Sequence, residues 1–254
     1  MSIQFHKYQS SGNNFILIDN ISQKKKLNTK LSQILKHKEV KNSDGLLVLE
    51  ESKKYDFELI FFNPDGSKSF CGNGSLCSLH YLRSVNKIQG SSSFFSYGRK
   101  YTAQIDSEVS IKMKDIKSFD SFNNEYFINS GAPHHVKFVD DVKKYNINEE
   151  ADSIRNRPFY RNNDCNVNLV SVSENNSISI RTFEKGVERE TLSCGTGAVA
   201  SAVAYSLHKN LKVNKVKTIG GELNVFFNRT DDLHFFDIFL KGNPSLEYKG
   251  WIYL

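Results

Sequence analysis

Short apolar or alternating runs recur along the chain and predict a protein rich in β-strands. Each run spans four to six residues, in which apolar side chains either alternate with polar ones or follow one another. Such runs are typical of strands that bury one or both faces. The predicted strands are 15–19, 46–50, 57–62, 101–105, 109–113, 136–139, 167–172, 178–183, 223–227 and 235–240. Helical patterns are fewer, at 27–38, 73–84, 148–155 and 196–208.

Two of the predicted helices have small or apolar residues on nearly all sides. Residues 197–207 carry small or apolar side chains on nearly every side, and residues 75–82 repeat the pattern less completely. A helix that is apolar all round is buried on all sides. The sequence therefore predicts an α+β fold in which each half wraps a sheet around one central helix.

Length and composition agree with two similar halves. The 254 residues, 39% of them hydrophobic, suffice for two cores of about 120 residues each. A Ser-, Asp- and Asn-rich stretch near 117–123 marks the expected division. We expect residues 1–118 to form the first domain and residues 119–243 the second. A last strand at about 244–254 is expected to pack back on the first.

Charge and targeting features narrow the functional classes. The net charge is +6, but the lysines are spread along the chain and accompany no nucleic-acid motif, so we expect no nucleic-acid partner. The chain has no apolar run of about 18 residues, the length that a membrane span needs, and its first residues lack a signal-peptide pattern. We expect a cytoplasmic protein. Four cysteines in a chain of this length do not predict a disulfide scaffold, so they should remain thiols.

The chemistry is concentrated in two matching segments, CGNGSLC from Cys71 and CGTGAVA from Cys194. Each precedes a predicted central helix, with Asn73 or Thr196 as its expected N-cap. A thiol ahead of a helix start meets free backbone N–H groups and the positive end of the helix dipole, which favour the thiolate. A lone cysteine is more often a buried structural residue, but the repetition favours function. Zinc binding is not favoured, since the spacing fits no zinc knuckle.

Two such thiols suit a reaction that inverts a carbon centre. One thiolate would remove a proton from the carbon, and the other thiol would return a proton to the opposite face. The adjacent glycines would let backbone N–H groups approach and hold a substrate carboxylate.

Several ordered motifs resemble the diaminopimelate epimerase family. They are SGNNF, DGLLVLE, FFNPDGSKSFCGNGSLC, NSGAPHHV, NVNLV, RTFEKGVERETLSCGTGAVAS and TIGGELNV. The resemblance implies two pseudo-symmetric halves, each a mixed sheet curled into a barrel around a central helix. It also implies interconversion of L,L- and meso-diaminopimelate in lysine and peptidoglycan precursor synthesis, without pyridoxal phosphate, other cofactor or metal. Homodimerisation is a further expectation of the family.

The resemblance also implies residue roles. Cys71 and Cys194 would be the base and acid pair, and His134 and Glu184 would tune the two thiols. The substrate contacts would come from Asn13, Asn63, Gly72, Asn73, Asn166, Glu184, Lys185, Gly195 and Thr196.

Four positions depart from the family pattern. Leu76 and Lys185 replace a common arginine, Ala132 replaces an asparagine of many members, and Gly45 replaces a glutamine of some. Lysine keeps the charge of arginine but loses its two-pronged hydrogen bonding to a carboxylate. These departures keep a second hypothesis open, a racemase or isomerase of the same fold that acts on another amino acid. A third is a nonenzymatic thiol switch or binding protein, in which Cys71 and Cys194 form a reversible disulfide.

Overall fold

The chain divides into two units in the computed structural model, which describes residues 1–160, 164–173 and 177–254. Unit 1 comprises Met1–Ile111 with Gly242–Leu254, and unit 2 comprises Lys112–Lys241. Across these described ranges, no helix has the length and apolar character needed to cross a membrane.

Strands make up most of the secondary structure. Those up to the unit boundary are β1 (Ser2–Ser10), β2 (Asn13–Asp19), β3 (Leu46–Glu50), β4 (Phe57–Phe62), β5 (Lys68–Ser69), β6 (Gly90–Ser96), β7 (Arg99–Ile105) and β8 (Val109–Lys112). Those that follow are β9 (Phe119–Phe122), β10 (Glu125–Asn129), β11 (Pro133–Phe138), β12 (Asn166–Ser173), β13 (Ser177–Glu184), β14 (Arg189–Thr191), β15 (Lys215–Thr218), β16 (Gly221–Arg229), β17 (Phe235–Lys241) and β18 (Ser245–Tyr253).

The helices are mostly short. They are α1 (Asn20–Gln23), α2 (Leu31–Leu35), α3 (Lys38–Lys41), α4 (Gly72–Ser84), α5 (Ile147–Arg155) and α6 (Gly195–Lys209). Single 3-10 turns lie at Leu27–Thr29, Val142–Lys144 and Pro158–Tyr160.

Both units have the same strand order. In unit 1 the sheet runs β18-β1-β2-β3-β4-β6-β7-β8, with β5 alongside β4. In unit 2 it runs β9-β10-β11-β12-β13-β15-β16-β17, with β14 alongside β13. The parallel pairs occupy the same places, β2/β3 and β4/β6 in unit 1 and β11/β12 and β13/β15 in unit 2. The units are thus pseudo-symmetric in topology.

Each sheet surrounds one long helix. Helix α4 contacts β1, β2, β3, β4, β7 and β18, and α6 contacts β10, β11, β12, β13, β16 and β17. Among the described strands no pairing joins β18 to β8 or β9 to β17, so neither sheet closes into a full barrel. The predicted α+β fold, with a mixed sheet around a central helix in each half, is confirmed.

The small buried residues of α6 explain why a sheet can surround this helix. Ala198, Ala200, Ala202 and Ala204 are fully buried, and their small side chains let strands approach the helix backbone on several sides. The helices predicted at 73–84 and 196–208 each begin one residue earlier in the structure, and α6 also ends one residue later.

The prediction of a single helix over 27–38 is wrong. Lys30 has φ −122° and ψ 1°, which separates the 3-10 turn from α2. His37 is extended, and its Nδ1 accepts the Glu39 N–H at the start of α3. The apolar spacing of the region is helical, but these two residues break the backbone into three short turns.

Candidate active site

Cys71 is the N-cap residue of α4. Its backbone is extended, with φ −128° and ψ 116°, and the helix begins at Gly72. The Gly74 N–H donates to Cys71 Sγ over 3.4 Å, and the Cys71 carbonyl accepts from Ser75 Oγ over 2.8 Å. The sulfur therefore takes the place that a side-chain oxygen usually has at a helix start. Asn73, the predicted cap, lies instead in the first turn.

Cys194 has nearly the same backbone conformation at the start of α6, but its side chain makes no capping hydrogen bond. Its φ is −129° and its ψ 113°, and the helix begins at Gly195. Thr196, the predicted cap, lies in the first turn, and its Oγ1 is 3.4 Å from Cys194 Sγ. The local prediction of both caps is wrong by two residues. The difference brings each thiol closer to the backbone N–H groups and the positive end of the helix dipole.

A half-buried carboxylate lies beside Cys194. Glu184, at the end of β13, accepts hydrogen bonds from the Cys194 thiol and from Thr191 Oγ1, the latter over 2.5 Å. Burial raises the pKa of the Glu184 carboxyl. Burial, and then the charge of Glu184, raise the pKa of the Cys194 thiol well above its usual range. The raised pKa favours the protonated thiol of Cys194 at neutral pH, whereas its position at the helix start alone indicates a thiolate.

His134 lies behind the same cysteine and is fully buried. Its Nε2 is 2.8 Å from Thr196 Oγ1, and its Nδ1 is 2.9 Å from Asn168 Nδ2. Burial lowers the pKa of His134 to about 3, so the imidazole is neutral. Thr196 thus connects a neutral histidine with the thiol.

Asn166 and Lys185 are tied to each other through the backbone. The Lys185 N–H donates to Asn166 Oδ1 over 2.9 Å, and Asn166 Nδ2 donates to the Pro133 carbonyl over 3.1 Å. The Lys185 ammonium lies 3.5 Å from an oxygen of Asp164. Asn166 therefore holds the turn after Glu184 against the start of β11.

The other candidate side chains of unit 1 are the amides of Asn13, Asn63 and Asn73. Asn73 Nδ2 donates to Asn13 Oδ1 over 2.8 Å, which links the first turn of α4 to the start of β2. Asn63 Nδ2 donates to Ser67 Oγ over 3.0 Å and to Ser69 Oγ over 3.1 Å. Asn63 thus holds the segment that leads into Cys71.

The structure shows what surrounds three of the positions that depart from the family pattern. Gly45 has φ +153°, and a Cβ there would lie 2.3 Å from Phe61 Cε2 and 2.5 Å from the Phe62 carbonyl oxygen. A glutamine therefore cannot occupy this position without moving β4. Leu76 is fully buried within α4, and Ala132 accepts a backbone hydrogen bond from Ser130.

Three polar residues of this region are missing from the sequence-based candidates. Asn168 and Thr182 are opposite each other on β12 and β13, and Thr191 lies on β14. The sequence signal at Asn168 and Thr182 is only a polar side chain within a predicted strand, which by itself is typical of an exposed face. In the described ranges, no group of three or more His, Cys, Asp or Glu side chains is arranged to hold a metal ion.

Solved structures of other proteins share this fold. A phenazine biosynthesis protein of the PhzF family from Bacillus anthracis superposes with a TM-score of 0.77 at 12% identity, covering 100% of both chains. A probable proline racemase from Agrobacterium radiobacter K84 superposes with a TM-score of 0.64 at 13% identity, covering 99% of this chain and 93% of that one. The shared feature at such identities is the fold, one that racemases and epimerases also adopt.

Sequence relatives are more specific. The profile of the diaminopimelate epimerase family matches residues 5–95 and 126–246, well over half of the chain. A diaminopimelate epimerase from Flavobacterium psychrophilum is 37% identical, over 98% of this chain and 100% of that protein. Diaminopimelate epimerases from Campylobacter jejuni, 33% identical over 92% of this chain and 94% of that one, and Aquifex aeolicus, 32% over 98% and 97%, are similar as well. The chain belongs to the diaminopimelate epimerase family and is an isomerase.

Proposed function

We propose that the protein epimerises L,L-diaminopimelate to meso-diaminopimelate without a cofactor, with Cys71 and Cys194 as a two-base pair. The observation that carries this proposal is the equivalence of the two thiols. Each is the N-cap of the central helix in a unit of the same topology, with nearly identical backbone angles. The reaction would supply meso-diaminopimelate for lysine and peptidoglycan precursor synthesis.

The protonation of Cys194 suggests how the roles are divided in this direction. The Cys71 thiolate removes the proton from the α-carbon, and the electron pair passes into the substrate carboxylate. The Cys194 thiol then delivers its own proton to the opposite face of the carbon and becomes a thiolate. Two protonation states of the free enzyme, each with one thiol, serve the two directions. The Glu184 carboxylate supports the protonated form of Cys194 before turnover.

We propose substrate contacts from both units. The backbone turns Gly72-Asn73 and Gly195-Thr196 would bind the carboxylate at the reacting centre, because free N–H groups at helix starts favour anions. Asn13, Asn63 and Asn166 would contact the polar ends of the substrate. Glu184 and Lys185 would face the distal amino-acid group.

Deuterium exchange tests this proposal. The reduced protein is incubated with L,L-diaminopimelate in deuterated water, without pyridoxal phosphate or metal, and the meso isomer and its α-deuterium are followed. We expect labelled meso product from the unchanged protein and none from Cys71→Ala or Cys194→Ala. Cys165→Ala is the matched control, since Cys165 is also a buried free thiol but has no proposed role. Substantial turnover by both active-site variants would refute the two-base mechanism.

A second candidate is a racemase or isomerase that acts on another amino acid. It is favoured by Gly45, which leaves no room for a side chain, and by Lys185, whose ammonium lies beside Asp164. Exchange with another amino acid but not with diaminopimelate would select it. Absence of exchange with every substrate would favour a thiol switch. We also propose that the protein is a cytoplasmic homodimer, and light scattering of the pure protein would measure its oligomeric state.

A further inference from the structure

A buried polar chain extends from Cys194 into the core of unit 2. Asn168 and Thr182 lie opposite each other on β12 and β13, and their exposed fractions are 0% and 2%. Thr182 Oγ1 donates to Asn168 Oδ1 over 2.8 Å. Asn168 Nδ2 reaches His134 Nδ1 over 2.9 Å, and His134 leads on through Thr196 to the thiol.

The orientation of the Asn168 amide is fixed by its neighbours. Its NH2 group also donates to the His135 carbonyl over 3.3 Å, and its oxygen faces the Thr182 hydroxyl. Turning the amide over would place two carbonyl oxygens against each other. The NH2 group therefore faces His134 Nδ1, which must be the unprotonated ring nitrogen in order to accept.

This arrangement places the imidazole proton on Nε2. The nearest partner of Nε2 is Thr196 Oγ1 at 2.8 Å, an oxygen that can accept the proton. Asn166 Nδ2 lies farther from Nε2, at 3.3 Å, and has the Pro133 carbonyl as a closer acceptor at 3.1 Å. Since Thr196 Oγ1 accepts from His134, its own hydroxyl proton is directed to Cys194 Sγ, 3.4 Å away.

The equivalent place in unit 1 is apolar. A Cβ added at Gly197 would lie 2.6 Å from Asn168 Oδ1, whereas a Cβ added at Gly74 would lie 2.7 Å from Leu47 Cδ2. Asn168 and Leu47 therefore support the same turn of the two central helices. Burying an amide where the fold accepts a leucine is unfavourable unless its hydrogen bonds are used. The fold itself does not require Asn168, which indicates a role in the chemistry of Cys194.

We propose that Asn168 and Thr182 are positioning residues that hold His134 as the Nε2–H tautomer and so direct the Thr196 hydroxyl onto the Cys194 sulfur. The directed hydroxyl stabilises the thiolate that forms when Cys194 gives up its proton, because hydrogen bonds to charged acceptors are stronger than neutral ones. The consequence for turnover rests on the proposed role of Cys194, but the tautomer itself does not.

Nitrogen NMR of protein labelled with ¹⁵N-histidine tests the tautomer directly. His134→Gln removes one pair of signals and thereby assigns His134. We expect Nδ1 of His134 to resonate as an unprotonated nitrogen and Nε2 as a protonated one. Asn168→Asp, which places an acceptor at Nδ1, should move the proton to Nδ1 or add a second one. A proton on Nδ1 in the unchanged protein would overturn the inference.

Alkylation of the two thiols by iodoacetamide, followed by peptide mass spectrometry, tests the effect on Cys194. Thr182→Val removes the hydroxyl but keeps the shape, and should slow alkylation of Cys194 by about tenfold to a hundredfold while leaving Cys71 unchanged. Thr182→Ser retains the hydroxyl and should restore both the alkylation rate and the tautomer.

The possible outcomes separate the two proposals. Equal alkylation of Cys194 in Thr182→Val and Thr182→Ser would overturn the positioning role, whatever the activity. The expected tautomer and alkylation without deuterium exchange into diaminopimelate would refute the proposed substrate and leave the positioning role intact. A general loss of folding in Thr182→Val would alter both cysteines, and the comparison with Cys71 reveals it.

Discussion

The two cysteines share a backbone conformation but differ in the side chains beside them. Cys194 donates to the half-buried carboxylate of Glu184, and its sulfur lies 3.4 Å from the Thr196 hydroxyl. In the first turn of α4 the residue equivalent to Thr196 is Asn73, whose partner is another amide, Asn13. One backbone arrangement is therefore combined with two different electrostatic surroundings, which supports the proposed two-base pair, whose thiols would start the reaction in opposite protonation states.

Removing the charge of Glu184 should make Cys194 more acidic. Glu184 raises the pKa of the Cys194 thiol, so Glu184→Gln lowers that pKa and increases the thiolate fraction at neutral pH. We expect faster alkylation of Cys194 relative to Cys71 by iodoacetamide. Glu188→Gln is the control, because Glu188 is exposed and pairs with Arg155. Unchanged alkylation of Cys194 in Glu184→Gln would show that the carboxylate does not govern the thiol.

Alanine at the two helix glycines should give unequal effects. A Cβ at Gly74 meets the end of the flexible Leu47 side chain, whereas a Cβ at Gly197 meets Asn168 Oδ1 and lies 3.3 Å from both His134 and Cys194. We expect Gly197→Ala to reduce the free energy of unfolding by about 1–3 kcal/mol, as overpacking does, and Gly74→Ala to reduce it less. Urea titration measures both, and an equal or larger loss in Gly74→Ala would contradict this.

At the scale of elements, the helix α6 depends on small side chains. Ala202 is fully buried where strands surround the helix, so Ala202→Leu inserts three carbon atoms into a filled space. The free energy of unfolding should fall by about 1–3 kcal/mol or more. Lys209→Leu adds the same residue at the exposed end of α6 and should change stability by about 0.5 kcal/mol or less. Similar losses in the two variants would show that the helix is not enclosed as described.

The central helices could be predicted from sequence because their patterns are local. The small and apolar residues of 197–207 leave few alternatives to a buried helix. The caps could not be predicted in the same way. Preference rules favour Asn73 and Thr196, but Cys71 and Cys194 have an extended backbone, and the helices start directly after them.

Strands were predicted less completely than helices. Strand β6 was missed because Ser91, Ser92 and Ser93 are typical of a loop, yet the sheet pairs them with β7 and buries Ser92. Strand β1 was missed although Ile3 and Phe5 alternate inward, because polar residues interrupt its second half. Strand pairing is a long-range property, and a local pattern does not contain it.

The candidate site shows the same limit. Cys71 and Cys194 stand out because the motif is repeated, and Asn13, Asn63, Asn166 and Glu184 were accessible through the family resemblance. Asn168 and Thr182 were not, because a polar residue on a strand is typical of an exposed face until its partner strand is known. Their hydrogen bond crosses two strands whose register only the structure supplies.

At the scale of the whole molecule, buried histidines should make the fold sensitive to acid. Burial lowers the pKa of His134 to about 3 and of His6 and His135 to about 4. Below pH about 6.5 the unfolded chain takes up protons at these positions that the folded protein does not, so stability falls as the pH falls. Each histidine contributes up to about 1.4 kcal/mol per pH unit between its folded and unfolded pKa.

Urea titration at pH 7.5 and at pH 5 measures this loss. We expect a lower free energy of unfolding at pH 5, and a smaller difference between the two pH values in His6→Gln, which removes one of the three groups. An unchanged stability at pH 5, or a His6→Gln variant with the same pH dependence as the original protein, would show that these histidines do not carry the effect.

The shared strand order of the two units also bears on the origin of the chain. Duplication and fusion of one ancestral gene segment would leave two such units, with the same parallel and antiparallel strand pairs in the same order. After such an event the sheet requires only that inward-facing and outward-facing side chains alternate along each strand, so single residues can diverge. Leu47 and Asn168, or Asn73 and Thr196, are then diverged copies of one ancestral residue, and their difference turned a symmetric pair of sites into an asymmetric one.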